Sequence, residues 1–340
     1  MSRERLLKWL RRGALVTALV VLLPVLAVAI ALRLEYAGDP GAAGRTRGHD
    51  AVWLGHAWVD GRNGAAELEA LRVKVQGTGI RDLYVHTGPL ERDGSLDPKL
   101  YPNTAWLLRE VHRVLPGVRV QAWLGNVIAH HGEADGLHLR DAGTRARVRA
   151  SGEQVLAAGF DGVHLDLEPN YSGDADFLDI LDRLRAVTSA HGAALSVATH
   201  QIDPLPGLHT VALSLFDHPK WWSQKYFAEV AGRVDQVAVM AYDSAMPLES
   251  LFGGYLAQQT ALALEVTPAG TDLIMGLPGY HTSTSGHHPS AETVTAAVRG
   301  ARLGLARHGK DRDAFGMALY VDFAATPGDW AAYRSGWGAR

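Results

Sequence analysis

The sequence predicts an α/β chain built as a single (β/α)8 TIM barrel, preceded by an N-terminal transmembrane helix. Two observations predict the barrel. From residue 51 onward, short apolar runs of strand character alternate with stretches whose apolar residues recur at three and four spacing. Eight such strand–helix pairs fit in about 290 residues, near the usual size of that fold. The membrane helix rests on a third. Residues 13–32, "GALVTALVVLLPVLAVAIAL", run without a charge behind Arg3, Arg5, Lys8, Arg11 and Arg12.

The strand candidates are "AVWLGHAW" (51–58), "IRDLYVHT" (80–87), "VRVQAWLGN" (118–126) and "GVHLDLE" (162–168). Four more follow: "AALSVATH" (193–200), "QVAVMAYD" (236–243), "DLIMGLP" (272–278) and "GMALYVDF" (316–323). Helical periodicity marks 65–77, 144–159 and 176–192 between them. A doubly wound open sheet is the competing layout. It calls for a glycine-rich phosphate loop after the first strand, and "HAWVDGRNG" is a poor one.

Composition limits the functions available. The 340 residues are 47% hydrophobic and 20% charged, so a packed core is expected. Net charge is −3 with Lys and Arg spread along the chain, which argues against a nucleic-acid partner. There is no cysteine, which excludes disulfides, thiolate metal sites and a thiol nucleophile. The apolar run 13–32 is long enough to span a bilayer, and the basic flank 1–12 should stay in the cytoplasm. That places the chain in the cell membrane as a single-pass protein with its barrel outside. The rival is a cleaved signal peptide, with Ala27 and Ala29 near a cleavage site, and a secreted product. Residues 33–50 read as a linker with a Gly-rich tether, and 51–340 as the barrel; 13–32 should add nothing to the barrel core.

In barrels of this kind chemistry collects at the C-terminal ends of the strands. Those ends carry His56 and Trp58, His86, Trp123 and Asn126, Asp166 and Glu168, and His200 and Gln201. Tyr242 and Asp243, Tyr280 and His281, and Tyr320 and Asp322 complete the set. Aromatic faces among amides, imidazoles and carboxylates suit a sugar, whose C–H faces are ringed by hydroxyls. On the fourth strand the period of two sends His164, Asp166 and Glu168 to one face. Val163, Leu165 and Leu167 go to the other. Sixteen histidines include the pairs 130–131 and 287–288, but adjacent residues do not converge on one ion. Neither metal nor cofactor is expected.

"DGVHLDLE" (161–168) resembles the Asp-Gly-x-x-x-Asp-x-Glu signature of family 18 glycoside hydrolases, the chitinase-like barrels. "MAYD" (240–243) is similar to that family's Met-x-Tyr-Asp, and "MGLPGY" (275–280) to its seventh-strand Gly-x-Pro segment. The resemblance implies that Glu168 is the general acid, and that Asp166 orients the substrate's N-acetyl group for attack on the anomeric carbon. It implies that Tyr242 donates to that acetamide, and that Asp243, beside Met240, helps to hold the sugar. This is the substrate-assisted route, which dispenses with a protein nucleophile.

The chain departs from the family at two places. His164 stands where a third Asp is usual, and Tyr320 where a Trp floors the sugar site. His164 is expected to hydrogen-bond Asp166 and titrate with it. The expected partner is a polysaccharide or oligosaccharide containing N-acetylhexosamine, of chitin or peptidoglycan type. A catalytically silent glycan-binding barrel, or a hydrolase of another amino-sugar polymer, are the alternatives.

Overall fold

The computed structural model describes residues 20, 22–41, 44–130, 135–216 and 219–339. Eight parallel strands close on themselves: β1 (Asp50–Leu54), β2 (Ile80–Pro89), β3 (Arg119–Val127), β4 (Gly162–Glu168), β5 (Ala194–Thr199), β6 (Gln236–Val239), β7 (Asp272–Pro278) and β8 (Phe315–Tyr320). Each pairs with the next in the chain, and β8 returns to β1 with Ala51 opposite Ala318. A helix follows every strand, and one more, Leu208–Phe216, precedes Gln224–Ala231 in the fifth crossover. Local chemistry starts these helices where expected. Asp174 accepts from the backbone of Asp176 and Phe177 at the head of Ala175–Ala190, and Thr326 with Asp329 forms a capping box ahead of Pro327–Gly336.

The period of two separates a dry face from a polar one. Val163, Leu165 and Leu167 of β4 are buried beneath the helical shell, while His164, Asp166 and Glu168 point into the lumen. The base of the lumen is polar. Asp82, wholly buried, takes both forks of Arg119 at 2.7 and 2.8 Å and one N–H each from Gln121 and Gln236. Above it Trp53, Tyr84 and His164 fill the middle, and Trp123 and Tyr320 cap them.

Three strand ends fall well short of expectation: the first, predicted to Trp58, stops at Leu54, the eighth, predicted to Phe323, stops at Tyr320, and the sixth is shortened as well. The sixth was predicted to run to Asp243, yet β6 stops at Val239. Asp243 and Ala245 have φ of +54° and +59°, so the backbone turns away there and no ladder can continue.

The segment ahead of the barrel also differs. Residues 1–19 and 21 lie outside the described residues. Residues 22–35 are helical, and among the described residues no helix is long and apolar enough to cross a membrane. The expected loose tether is docked. Leu32 is buried against Leu251 and Tyr255, in a small cluster apart from the barrel core. Arg307 binds Glu35 and the Ala37 carbonyl, Arg299 the Gly38 carbonyl, and Arg302 the Gly41 carbonyl. Helix Glu249–Val266 admits the segment through a glycine notch, because a Cβ on Gly254 would lie 1.8 Å from the Leu32 carbonyl oxygen. Gly254→Val should therefore cost about 1–3 kcal/mol in the full chain. The same substitution should cost nearly nothing in a chain starting at residue 45. Equal losses in chemical unfolding of the two backgrounds would show that residues 32–36 do not dock there.

Candidate active site

Asp166 and Glu168 reach the C-terminal mouth of the lumen because they occupy alternate positions at the end of β4. They face a groove of about 980 Å³, near the upper end for small-ligand sites. Met240, Tyr242, Asp243, Tyr280 and Tyr320 line the same groove, as do His200 and Gln201. Trp123 donates its indole N–H to Asp166 Oδ2 at 2.9 Å, while Oδ1 is buried without a hydrogen bond. Burial raises the Asp166 pKa against the lowering effect of Trp123.

Glu168 is the more open carboxyl, with its side chain 46% accessible, but it stands on the floor of a concave site. Its pKa is raised by desolvation first, then by the negative charges of Asp166 and Asp243. His200 Nε2 lies 4.0 Å from Glu168 and faces the Asn170 N–H at 3.2 Å. A carboxylic acid held protonated near neutral pH is what a general acid requires.

The aromatic wall comes from the C-terminal ends of three neighbouring strands and the turns that follow them. Tyr242 packs against Tyr320 with centroids 5.4 Å apart, and edge-on to Tyr280 at 6.0 Å. Gly276 makes room for it: a Cβ there would sit 3.0 Å from the Tyr242 ring. Among the described residues the Tyr242 hydroxyl has no hydrogen-bond partner in the protein, so it is available to a ligand. Tyr280 donates its hydroxyl to Asp243. Gln201 spends its amide N–H groups on the Met240 and Tyr242 carbonyls, which fixes the turn after β6 rather than reaching a ligand.

Three expected groove residues lie elsewhere. Trp58 is buried and donates to Asp322 at 2.8 Å, and Asn126 bonds the Leu90 carbonyl. His164 is the main correction. Trp53 donates to its Nε2 at 3.0 Å, its Nδ1 lies 2.7 Å from Ser196 Oγ, and its ring stacks on Tyr84 at 3.8 Å. Both ring nitrogens are taken, so neither is left for Asp166. Several groove residues went unseen in the sequence, among them Lys220 and Phe323. Lys220 stood in "HPKWW", a segment noticed for its tryptophans, and Phe323, 75% exposed at the rim, had no signal.

Burial lowers the His164 pKa to about 3, with a weaker opposing pull from Asp82. The imidazole is neutral at physiological pH, and adds no limb to a rate profile near pH 6–7. Its signature is in stability. The unfolded chain takes up the proton near pH 6.5 and the folded one near 3, so stability falls as pH drops through that window. Between pH 7 and pH 4 the loss from this residue should be about 3 kcal/mol. Asp50, raised to about 6 by burial, has the opposite sign, losing stability as pH rises from 3.8 towards 6. Comparing wild type with His164→Gln isolates the histidine: the variant's stability should fall less on acidification. Parallel denaturation-midpoint profiles would refute this assignment.

No protein-family model matches the sequence, and no curated protein matches it significantly. Solved structures do resemble it. A class V chitinase from Pseudomonas fluorescens Pf-5 superimposes with a TM-score of 0.57 at 15% identity, covering 84% of this chain and 98% of that one. The Bacillus cereus spore cortex-lytic enzyme SleL gives 0.58 at 12% identity, over 86% of this chain and 75% of its own. A mutant GH18 chitinase from Cycas revoluta, in complex with (GlcNAc)4, gives 0.56 at 15%, over 85% and 99%. The chain thus has the fold of the chitinase-like TIM barrels.

Proposed function

We propose that the protein is a glycoside hydrolase acting on an N-acetylhexosamine polymer, with retention and with Glu168 as the general acid. The observation that carries this is the pair on β4. Glu168 is biased towards its protonated form at the groove floor, beside an Asp166 whose Oδ1 is buried and unpartnered. The Glu168 proton goes to the glycosidic oxygen as the C1–O bond breaks. The acetamide carbonyl oxygen then bonds to C1, and Asp166 Oδ1 accepts the acetamide N–H. Water next attacks C1, giving its proton back to Glu168 and reopening the acetamide. Two attacks at C1 restore its configuration. The solved relatives that share this fold include chitinases and a spore cortex-lytic enzyme, which supports a substrate of that class.

The place of action is part of the proposal. The basic flank and the uncharged run 13–32 fit a membrane anchor with the barrel outside the cytoplasm, and a cleaved leader would release the same barrel. Leu22, Leu23, Val25, Leu26, Val28 and Ile30 are each more than half exposed, an apolar surface better suited to lipid than to water. The test is hydrolysis of N-acetylglucosamine oligomers and peptidoglycan fragments by the full chain, with product stereochemistry recorded. Release of the β-anomer first supports the reading. Binding without turnover would identify a silent glycan-binding barrel, and release of the α-anomer would exclude the substrate-assisted route.

A further inference from the structure

We infer that Asp243, His287 and Glu292 form a binding site for a divalent transition-metal ion of the zinc type, in the wall of the groove. His287 is 0% exposed, and neither of its ring nitrogens makes a hydrogen bond. Its Nδ1 is 3.4 Å from Asp243 Oδ1 and 3.4 Å from Glu292 Oε2. A ring nitrogen carries at most one proton and would draw one carboxylate to about 2.7–2.9 Å. Two carboxylates held off at equal distance do not form that hydrogen bond. Donors about 2.0–2.1 Å from a tetrahedral zinc ion stand about 3.3–3.4 Å apart, which matches both separations. One potential donor atom from each residue lies within 4.8 Å of the other two. The carboxylate–carboxylate edge is the only one left to close, and exposed Asp243 is the side chain able to close it.

The surroundings fit a ligand set. Glu292 is buried, receives the Ser244 N–H at 3.2 Å on Oε2, and has Oε1 without a partner. Asp243 accepts from Tyr280, whose ring stacks on His287 at 4.3 Å. Such outer hydrogen bonds orient metal-binding carboxylates. One imidazole with two carboxylates suits zinc better than calcium or magnesium, which prefer oxygen shells. The charge balance allows the ion: two carboxylates face it, and the nearby cation is Lys220, tied to the Ser244 carbonyl at 3.2 Å. Access is from the groove, which Asp243 lines. The adjacent pair 287–288 does not converge on an ion; His287 alone is joined by residues from two other positions.

This site shares Asp243 with the hydrolase reading, so its test reads metal content and not turnover. Tag-free full chain is dialysed against zinc chloride and the bound metal is counted, with cobalt chloride as a spectroscopic substitute. The expected result is one zinc per chain and visible absorption of low-symmetry cobalt. His287→Ala and Glu292→Gln should each weaken zinc binding by at least about 100-fold. Circular dichroism checks that each variant folds, and Asp243→Asn, at an exposed position, provides a third variant should a buried one fail. Wild-type protein that retains no zinc would overturn the inference. So would stoichiometric binding that folded variants leave unchanged.

Discussion

Glu168→Gln should lower kcat on N-acetylglucosamine oligomers by about 10²–10⁴-fold, the contribution of a positioned general acid. Affinity for the same oligomer should stay within about threefold, since glutamine keeps the shape of the side chain and its place in the groove. The pH profile separates this role from a merely structural one. The acid works only while protonated, and desolvation together with Asp166 and Asp243 raises its pKa. The alkaline limb of kcat/KM should therefore lie above the ordinary glutamate range. In protein stripped of metal with a chelator, Asp243→Asn removes one negative charge, lowers the Glu168 pKa and moves that limb towards acid. Wild-type turnover in Glu168→Gln, or a limb that Asp243→Asn leaves in place, would assign the acid elsewhere.

What the sequence revealed about the site depended on whether a residue's neighbours are local. Asp166 and Glu168 were legible because the alternation in "GVHLDLE" sets their face without knowledge of any other strand. The barrel was legible for the same reason, since each strand–helix pair announces its own period. His164 sits on the same face, but its environment comes from Trp53, Tyr84 and Ser196 on three other strands. No periodicity reports contacts across a lumen, so its expected pairing with Asp166 was misplaced. His287 and Glu292 are harder still. They meet Asp243 only because the chain leaves β6 with φ of +54° at Asp243 and the stretch after β7 folds back over that turn. The docked segment 32–41 was mistaken for a loose tether because polar, Gly-rich composition does not disclose three arginines waiting on a helix more than 250 residues later.

Asp82→Ala should be the most damaging substitution away from the groove, lowering stability by about 3–5 kcal/mol at neutral pH. Burial alone would raise the Asp82 pKa, but the hydrogen bonds and charge of Arg119, the charge of Arg81 and the Gln121 amide outweigh it. The carboxyl is held below its ordinary value, ionised at the base of the barrel. Removing it strands partners of unequal resilience. Arg119 is one-third exposed and can recover water, which moderates its part of the loss. Gln121 and Gln236 are 0% exposed and cannot. Asp82→Asn keeps the volume and one acceptor, and should cost clearly less. The effect should also reach the groove. Gln121 Oε1 accepts from Ser196 Oγ at 2.8 Å, Ser196 meets His164, and His164 takes the Trp53 indole beneath the catalytic layer. Once Gln121 is free to turn, that column loses its anchor, so a folded Asp82→Ala protein should lose kcat more than affinity. The check pairs denaturant unfolding with kinetics on one oligomer. A stability loss under about 1 kcal/mol would mean that the base of the barrel is held by its apolar shell alone.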